Sequence, residues 1–247
     1  MSQAVYLDLD GTLMGPGGGL FSGADGAFSL AGVCALRLLA EELIPVILVS
    51  GRTRAQLSET GRLLGAARTI PELGALDCDY PTPAGTSIRD AIEATGIVDA
   101  LIEREQGRLE RFSRPEVTRE ATLLLRGHAD QSTQAFVAEA SSGMLRLADN
   151  GTIRADGARA WHLLPAAAGK GPAVARDMAR ADLDPSRCLA VGNSLEDLDM
   201  GTAGLQVAIV GNGIEGNPEL AAAAPWVTRE QFGAGVLEAV EHFLRVS

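Results

Sequence analysis

Apolar and polar positions alternate in blocks along this chain. Residues 5–9 form a short apolar run rich in strand formers, and residues 45–50 form a second, built of Val, Ile and Leu. Between them, residues 31–43 repeat their apolar side chains at helical spacing, and residues 53–64 do so again after the second run. Residues 67–70 and 75–77 read as two further short strands, and residues 15–19, too rich in glycine for a regular element, as a flexible loop. Near-continuous apolar strands separated by helices predict an α/β domain with a mostly parallel sheet.

The rhythm changes at residues 79–85, a turn-rich stretch that predicts a domain boundary. Residues 86–111 are helical in pattern and heavily charged, mostly a solvated face. Residues 121–126 and 144–147 are strand-like, with a helix over 131–140 between them. Asp149-Asn150-Gly151 is a hairpin-turn signal leading into residues 152–154. This is a small α+β unit. A second linker at 165–169 returns the chain to alternation: helix 171–180, strand 188–191, helix from 195, strand 206–210, and three last segments at 219–223, 226–228 and 236–243. The expected organisation is a Rossmann-like α/β core over residues 1–80 and 165–247, interrupted by an α+β cap domain over 81–164.

Composition narrows what such a fold does. At 247 residues and 46% apolar, the chain is long enough to bury a real core and too apolar for disorder. No apolar run approaches the roughly 18 residues of a membrane span, and the N-terminus lacks the pattern of a signal peptide. Three widely spaced cysteines make neither a disulfide framework nor a metal cluster. The expectation is a cytoplasmic protein. A net charge of −11 counts against nucleic acid and anionic membranes as partners, and leaves the oligomeric state open. The basic side is lopsided, with Lys170 the single lysine among arginines. A compact ammonium where every other position takes a planar fork suits a tight pocket, or is an accident of composition.

Chemistry concentrates in Asp8-Leu9-Asp10-Gly11-Thr12-Leu13. Two carboxylates at the carboxyl end of a buried strand can be aimed at one site, where open α/β sheets bind ligands. Like charges held there need a cation or a proton between them. A divalent ion beside a carboxylate nucleophile suits phosphoryl transfer. Ser50-Gly51 ends the second strand and starts a helix, a natural phosphate cradle or an ordinary turn. Gly211-Asn212-Gly213-Ile214-Glu215-Gly216 has the spacing of a dinucleotide fingerprint, but too little chain follows it. Residues 165–170 lack the first glycine of a Walker loop.

The Asp8–Leu13 segment resembles the first motif of the haloacid dehalogenase superfamily of phosphotransferases. Ser50-Gly51-Arg52-Thr53, Lys170 and Gly192-Asn193-Ser194-Leu195-Glu196-Asp197 resemble the second, third and fourth motifs in family order. The cap lies between the second and third, as in Cof-like, sucrose-phosphate and mannosyl-phosphoglycerate phosphatases. The resemblance implies a Mg²⁺-dependent phosphatase of a small monoester, such as a sugar or polyol phosphate or a phosphoglycerate conjugate. It implies Asp8 as nucleophile forming an aspartyl-phosphate and Asp10 as general acid/base. Ser50, Gly51, Lys170 and Asn212 would bind phosphate, and Asp8, Asp10, Asn193 and Asp197 the metal. Asn193 stands where the family usually has Asp, and Glu196 is either a solvated helix residue or a substitute ligand. In the cap, Arg126 and His128 are candidates for reading the leaving group; His162 and His242 receive no role. A phosphomutase, or a binding homologue with weakened catalysis, stays open as an alternative.

Overall fold

The computed structural model describes residues 2–112, 117–152, 157–215 and 217–246. The chain forms two compact units, one from Met1–Ser50, Ala55–Ile70 and Lys170–Ser247, the other from Gly51–Arg54 and Pro71–Gly169. The divides fall at residues 70/71 and 169/170, where the sequence reading put them after 80 and 164.

The strands in chain order are β1 (Ser2–Leu7), β2 (Val46–Val49), β3 (Arg68–Ile70), β4 (Leu109–Arg111), β5 (Leu123–Gly127), β6 (Leu145–Thr152), β7 (Arg159–Pro165), β8 (Leu183–Gly192) and β9 (Gln206–Ile209). The helices are α1 (Ala31–Glu41), α2 (Arg54–Leu64), α3 (Ile88–Glu93), α4 (Ile97–Glu105), α5 (Gln131–Ala140), α6 (Lys170–Ala181), α7 (Leu195–Leu198), α8 (Pro218–Ala223) and α9 (Phe232–Val246).

In the first unit five strands form a parallel sheet in the order β3-β2-β1-β8-β9. Chain direction across the sheet reverses at β1, so the crevice between β1 and β8 is its switch point. The strands are apolar on both faces because both faces are covered. Val5 and Leu7 pack with Leu39 of α1 and Val236 and Phe243 of α9, while Tyr6 packs on the other side with Val174 and Met178 of α6. Leu7 stands opposite both Leu48 and Val191, which brings the ends of β1, β2 and β8 level.

The second unit carries an antiparallel sheet, β4-β5-β7-β6, over a core that includes Val98, Leu101, Leu125, Val137 and Trp161. β7 is absent from the sequence reading, because His162 interrupts its apolar run; in the fold that histidine is fully buried. The charged stretch 86–111 breaks into α3, α4 and β4, divided where Gly96 and Gln106 take left-handed backbone. Asp149-Asn150-Gly151 makes no hairpin turn. It lies inside β6 as a bulge: Asp149 pairs with Trp161 and Thr152 with Arg159, so β6 carries one residue more than β7. The expected continuation over Ile153 and Arg154 lies outside the described residues, as does Gly216.

Two further expectations are corrected. Pro16–Gly18 is a short 3₁₀ turn, since proline presets its first position. The strand expected at 75–77 is part of a 3₁₀ segment, Glu72–Asp77. The Glu72 carboxylate drives this change. It is fully buried, with φ 49°, and accepts from the backbone N–H groups of Glu120, Ala121 and Thr122 and from the Thr122 hydroxyl, all at 2.9–3.0 Å. A Gln there would turn an NH₂ toward these donors. Glu72→Gln is expected to cost about 2–3 kcal/mol, lowering the thermal midpoint by roughly 5–10 °C. A midpoint within a degree of wild type by circular dichroism would refute that reading of Glu72.

Candidate active site

β1 ends at Leu7, and the chain then turns back on itself: the Thr12 and Met14 amides both donate to the Leu9 carbonyl. Gly11 makes this turn with φ +86°, and a Cβ there would stand 2.5 Å from Asn193 Nδ2, so only glycine fits. The turn separates the two aspartates. Asp8 is buried, 5% exposed, and Asp10 is exposed.

Lys170 is the first residue of α6 and is buried, 2% exposed. Its Nζ donates to Asp8 Oδ1 at 2.6 Å and to Asp197 Oδ1 at 2.5 Å. Thr12 Oγ1 donates to the other Asp8 oxygen at 2.9 Å and lies 3.0 Å from Asn193 Oδ1. One cation thus serves two buried carboxylates. Burial, followed by the Asp197 charge, pushes the Asp8 carboxyl up to about 7, against the pull of Lys170. Burial also weighs against the Lys170 charge, but Asp197 and Asp8 outweigh it and hold its pKa above the ordinary lysine value.

Asp197 owes its place to a helix start. Ser194 caps α7, and Asp197 Oδ2 accepts from Asn193 N, Ser194 N and Ser194 Oγ at 2.6–3.0 Å. Gly192 makes room for this approach, since a Cβ there would lie 2.1 Å from Asp197 Cβ.

A family model for sucrose-6F-phosphate phosphohydrolase matches residues 150–244. A phosphoglycolate phosphatase from Methanothrix thermoacetophila is 27% identical over 248 residues, covering 98% of this chain and 97% of that protein. This chain is thus similar to a phosphate-ester hydrolase family over residues 150–244, and to a phosphoglycolate phosphatase over nearly its whole length. Two solved structures share its fold. A Thermoplasma acidophilum 0175 structure aligns with TM-score 0.69 at 19% identity, over 99% of each chain. The sucrose-phosphatase from Synechocystis sp. PCC6803, solved with sucrose and phosphate, aligns with TM-score 0.66 at 18% identity, over 98% of each chain.

The other expected site residues are placed as follows. Ser50 directly follows β2 as a buried residue one strand from Asp8, its amide bonded to the Ile70 carbonyl at 3.0 Å. Gly51 packs with the second unit. Asn212 follows β9, and both ends of its amide are engaged: Nδ2 donates to the Gly11 carbonyl and Oδ1 accepts from Phe232 N, each at 2.8 Å. It staples the Gly11 turn. In the second unit Arg126 pairs with Glu110 and lies over the Phe112 ring, and His128 is exposed. Trp226 meets the His242 ring at a tilt of 53°, centroids 4.8 Å apart, a packing contact.

Of the four side chains expected to hold a metal, Asp197 is engaged elsewhere in this structure. It spends its oxygens on Lys170 and the α7 cap, and among the described residues no three His, Cys, Asp or Glu side chains gather to hold an ion. What remains is oxygen-only: Asp8 and Asn193, both within 3.0 Å of the Thr12 hydroxyl, with Asp10 exposed two residues beyond Asp8. Such donors fit a hard ion that keeps several waters, as Mg²⁺ does. Thr12 was in the quoted motif without a role; its spacing four residues after Asp8 was the available signal.

Proposed function

We propose that this protein is a phosphatase that hydrolyses a small phosphate monoester through an aspartyl-phosphate on Asp8, with Mg²⁺ as cofactor. The observation that carries the reading is the buried Asp8 carboxylate, clamped by Lys170 and Thr12 at the carboxyl edge of a parallel sheet. Both clamps are donors, so the carboxylate is fixed in orientation before substrate arrives. Asp8 attacks phosphorus in line, and exposed Asp10 gives its proton to the leaving oxygen. Asp10 then takes a proton from the water that cleaves the acyl-phosphate, which returns Asp8 and releases inorganic phosphate. Lys170 offsets phosphoryl charge, Ser50 and the Gly51 amide cradle the non-bridging oxygens, and Asn212 holds the Gly11 turn in place. Asp8, Asp10 and Asn193 would hold Mg²⁺, which supplies charge neutralisation at the phosphoryl oxygens. The inserted domain expected over residues 81–164 acts as a cap that selects the leaving group, with Arg126 and His128 as contacts.

Sugar and polyol phosphates fit this chemistry, as do phosphorylated acids of the kind named for the Methanothrix relative. None of the three cysteines is in a disulfide, which suits the reducing cytoplasm. No helix among the described residues is long and apolar enough to cross a membrane. The test is phosphate release over sugar, polyol, glycerate and nucleotide monoesters with Mg²⁺. Transfer to a second hydroxyl without release would mark a phosphomutase instead.

Asn193 gives a sharper test of the metal. Asn193→Asp adds one negative charge beside the Asp8–Thr12 pair, so the Mg²⁺ concentration for half-maximal binding should fall at least about tenfold. Glu196→Gln should leave it unchanged. Titration of the substrate-free protein, followed by its thermal midpoint, measures this apart from activity. An unchanged midpoint curve in Asn193→Asp would remove Asn193 from the metal set.

A further inference from the structure

A second polar network lies inside the first unit, away from the reacting groups. Tyr6 of β1 is fully buried against Ala173, Val174 and Met178 of α6. Its hydroxyl donates to Asp177 Oδ2 at 2.7 Å. Arg68, the first residue of β3, grips the same carboxylate as a fork, Nε to Oδ1 at 2.7 Å and Nη2 to Oδ2 at 2.9 Å. Asp177 of α6 thus accepts from two strands that are not neighbours in the sheet.

Spacing ties this network to Lys170. Tyr6 stands two residues before Asp8, the period at which side chains leave one face of a strand. Asp177 stands seven residues after Lys170, two turns on along one face of α6 and about 10 Å of rise. The same helix face therefore meets the same strand face twice, through Lys170 and Asp8 at one end and through Asp177 and Tyr6 at the other. Between the two contacts lie the apolar side chains of Ala173 and Val174. Apolar burial is non-directional: it holds α6 on the sheet without fixing where along β1 the helix stops. Directed hydrogen bonds do fix it. The first turn of α6 is seated as well, since Gly171 N donates to Asp199 Oδ2 at 3.2 Å and a Cβ on Gly171 would lie 2.4 Å from the Asp199 carbonyl oxygen. The Lys170 stem is itself buried in a close-packed interior, so its Nζ travels with the helix.

We propose that Tyr6 and Asp177, with Arg68 holding the carboxylate, are positioning residues that set the register of α6 on β1 and so place the Lys170 ammonium between Asp8 and Asp197. The consequence for turnover rests on the Asp8 mechanism proposed above; the placement of Lys170 does not.

Lys170 is the single lysine of the chain, so isotope-labelled lysine gives one side-chain ammonium signal, which NMR reads in the substrate-free protein. Tyr6→Phe keeps the packing volume and removes one bond to Asp177; Asp177→Asn breaks the fork. In both variants the Lys170 signal should shift or be lost to solvent exchange, and kcat for p-nitrophenyl phosphate should fall about tenfold with KM little changed. Should Asp177→Asn fail to fold, the nearly isosteric Tyr6→Phe decides alone. Glu72→Gln, destabilised in the other unit, is the control and should leave the signal in place. A signal unmoved in the folded variants would overturn the proposal whatever their thermal midpoints, as would wild-type kcat in them or the same shift in Glu72→Gln. If wild type does not turn over p-nitrophenyl phosphate, the Asp8 mechanism fails, and the ammonium signal still decides what sets the register of α6.

Discussion

Asp8→Asn is expected to lower phosphate release by roughly a thousandfold or more while leaving the fold intact. A carboxamide cannot attack phosphorus to form an acyl-phosphate, and the buried carboxylate beside it is not free to substitute: Asp197 is bound by Lys170 and by the α7 cap. The stability of the variant carries as much information as its activity. In the folded protein the Asp8 carboxyl is raised to about 7, from an ordinary aspartate value of 3.8, chiefly by burial. Between those two values the folded state binds more protons than the unfolded state, so stability falls as pH rises through this window. At pH 7.5 wild type bears the full penalty of the buried charge, and Asp8→Asn does not. The metal-free variant should therefore melt at or above the wild-type midpoint at pH 7.5, and the gap should close toward pH 4. A variant that retains wild-type turnover, in a sample shown by mass spectrometry to be free of deamidation, would end the nucleophile assignment.

Lys170→Met has the opposite signature, losing activity and stability together. It leaves Asp8 and Asp197 buried without their shared cation, a loss of about 3–5 kcal/mol and roughly 10 °C or more in thermal midpoint. Adding Asp197→Asn should recover much of that stability and none of the activity, because it removes a stranded charge without restoring the donor to Asp8. Lys170→Arg retains charge, but its head must fit where a point donor sits 2.6 and 2.5 Å from two carboxylates; most activity should be lost. Arg37→Lys is the matched control, since Arg37 is an exposed residue paired with Glu41, and should change nothing. Arg104 would be a poor control: it pairs with buried Glu105 and lies over Phe136. Equal tolerance at positions 37 and 170 would make the lone lysine an accident of composition.

Much of the first unit was legible because its signals are local. Apolar runs bounded by turns located β2, β3 and β9 to within one residue and β1 to within three, and period 3.6 located α1, α2 and α6. Lys170 stood out against an arginine background, and the fold places it as anticipated, at the start of a helix. The second unit was harder to read. Its β7 contains a buried histidine whose neighbours come from other elements, and its Asn-Gly pair forms a bulge because strand pairing absorbs the extra residue.

By itself the sequence determined the alternating architecture, the insertion, and the order of Asp8, Asp10, Ser50, Lys170 and Asp197, because periodicity and turn chemistry act over a few residues. Tertiary structure decided how those groups share their hydrogen bonds. Spacing cannot reveal that one ammonium serves Asp8 and Asp197 together, that Asn212 is committed to the Gly11 and Phe232 backbones, or that Arg119 meets Gly51. Each of these contacts joins residues far apart in the chain, and a donor's partner depends on which acceptor folding brings within about 3 Å.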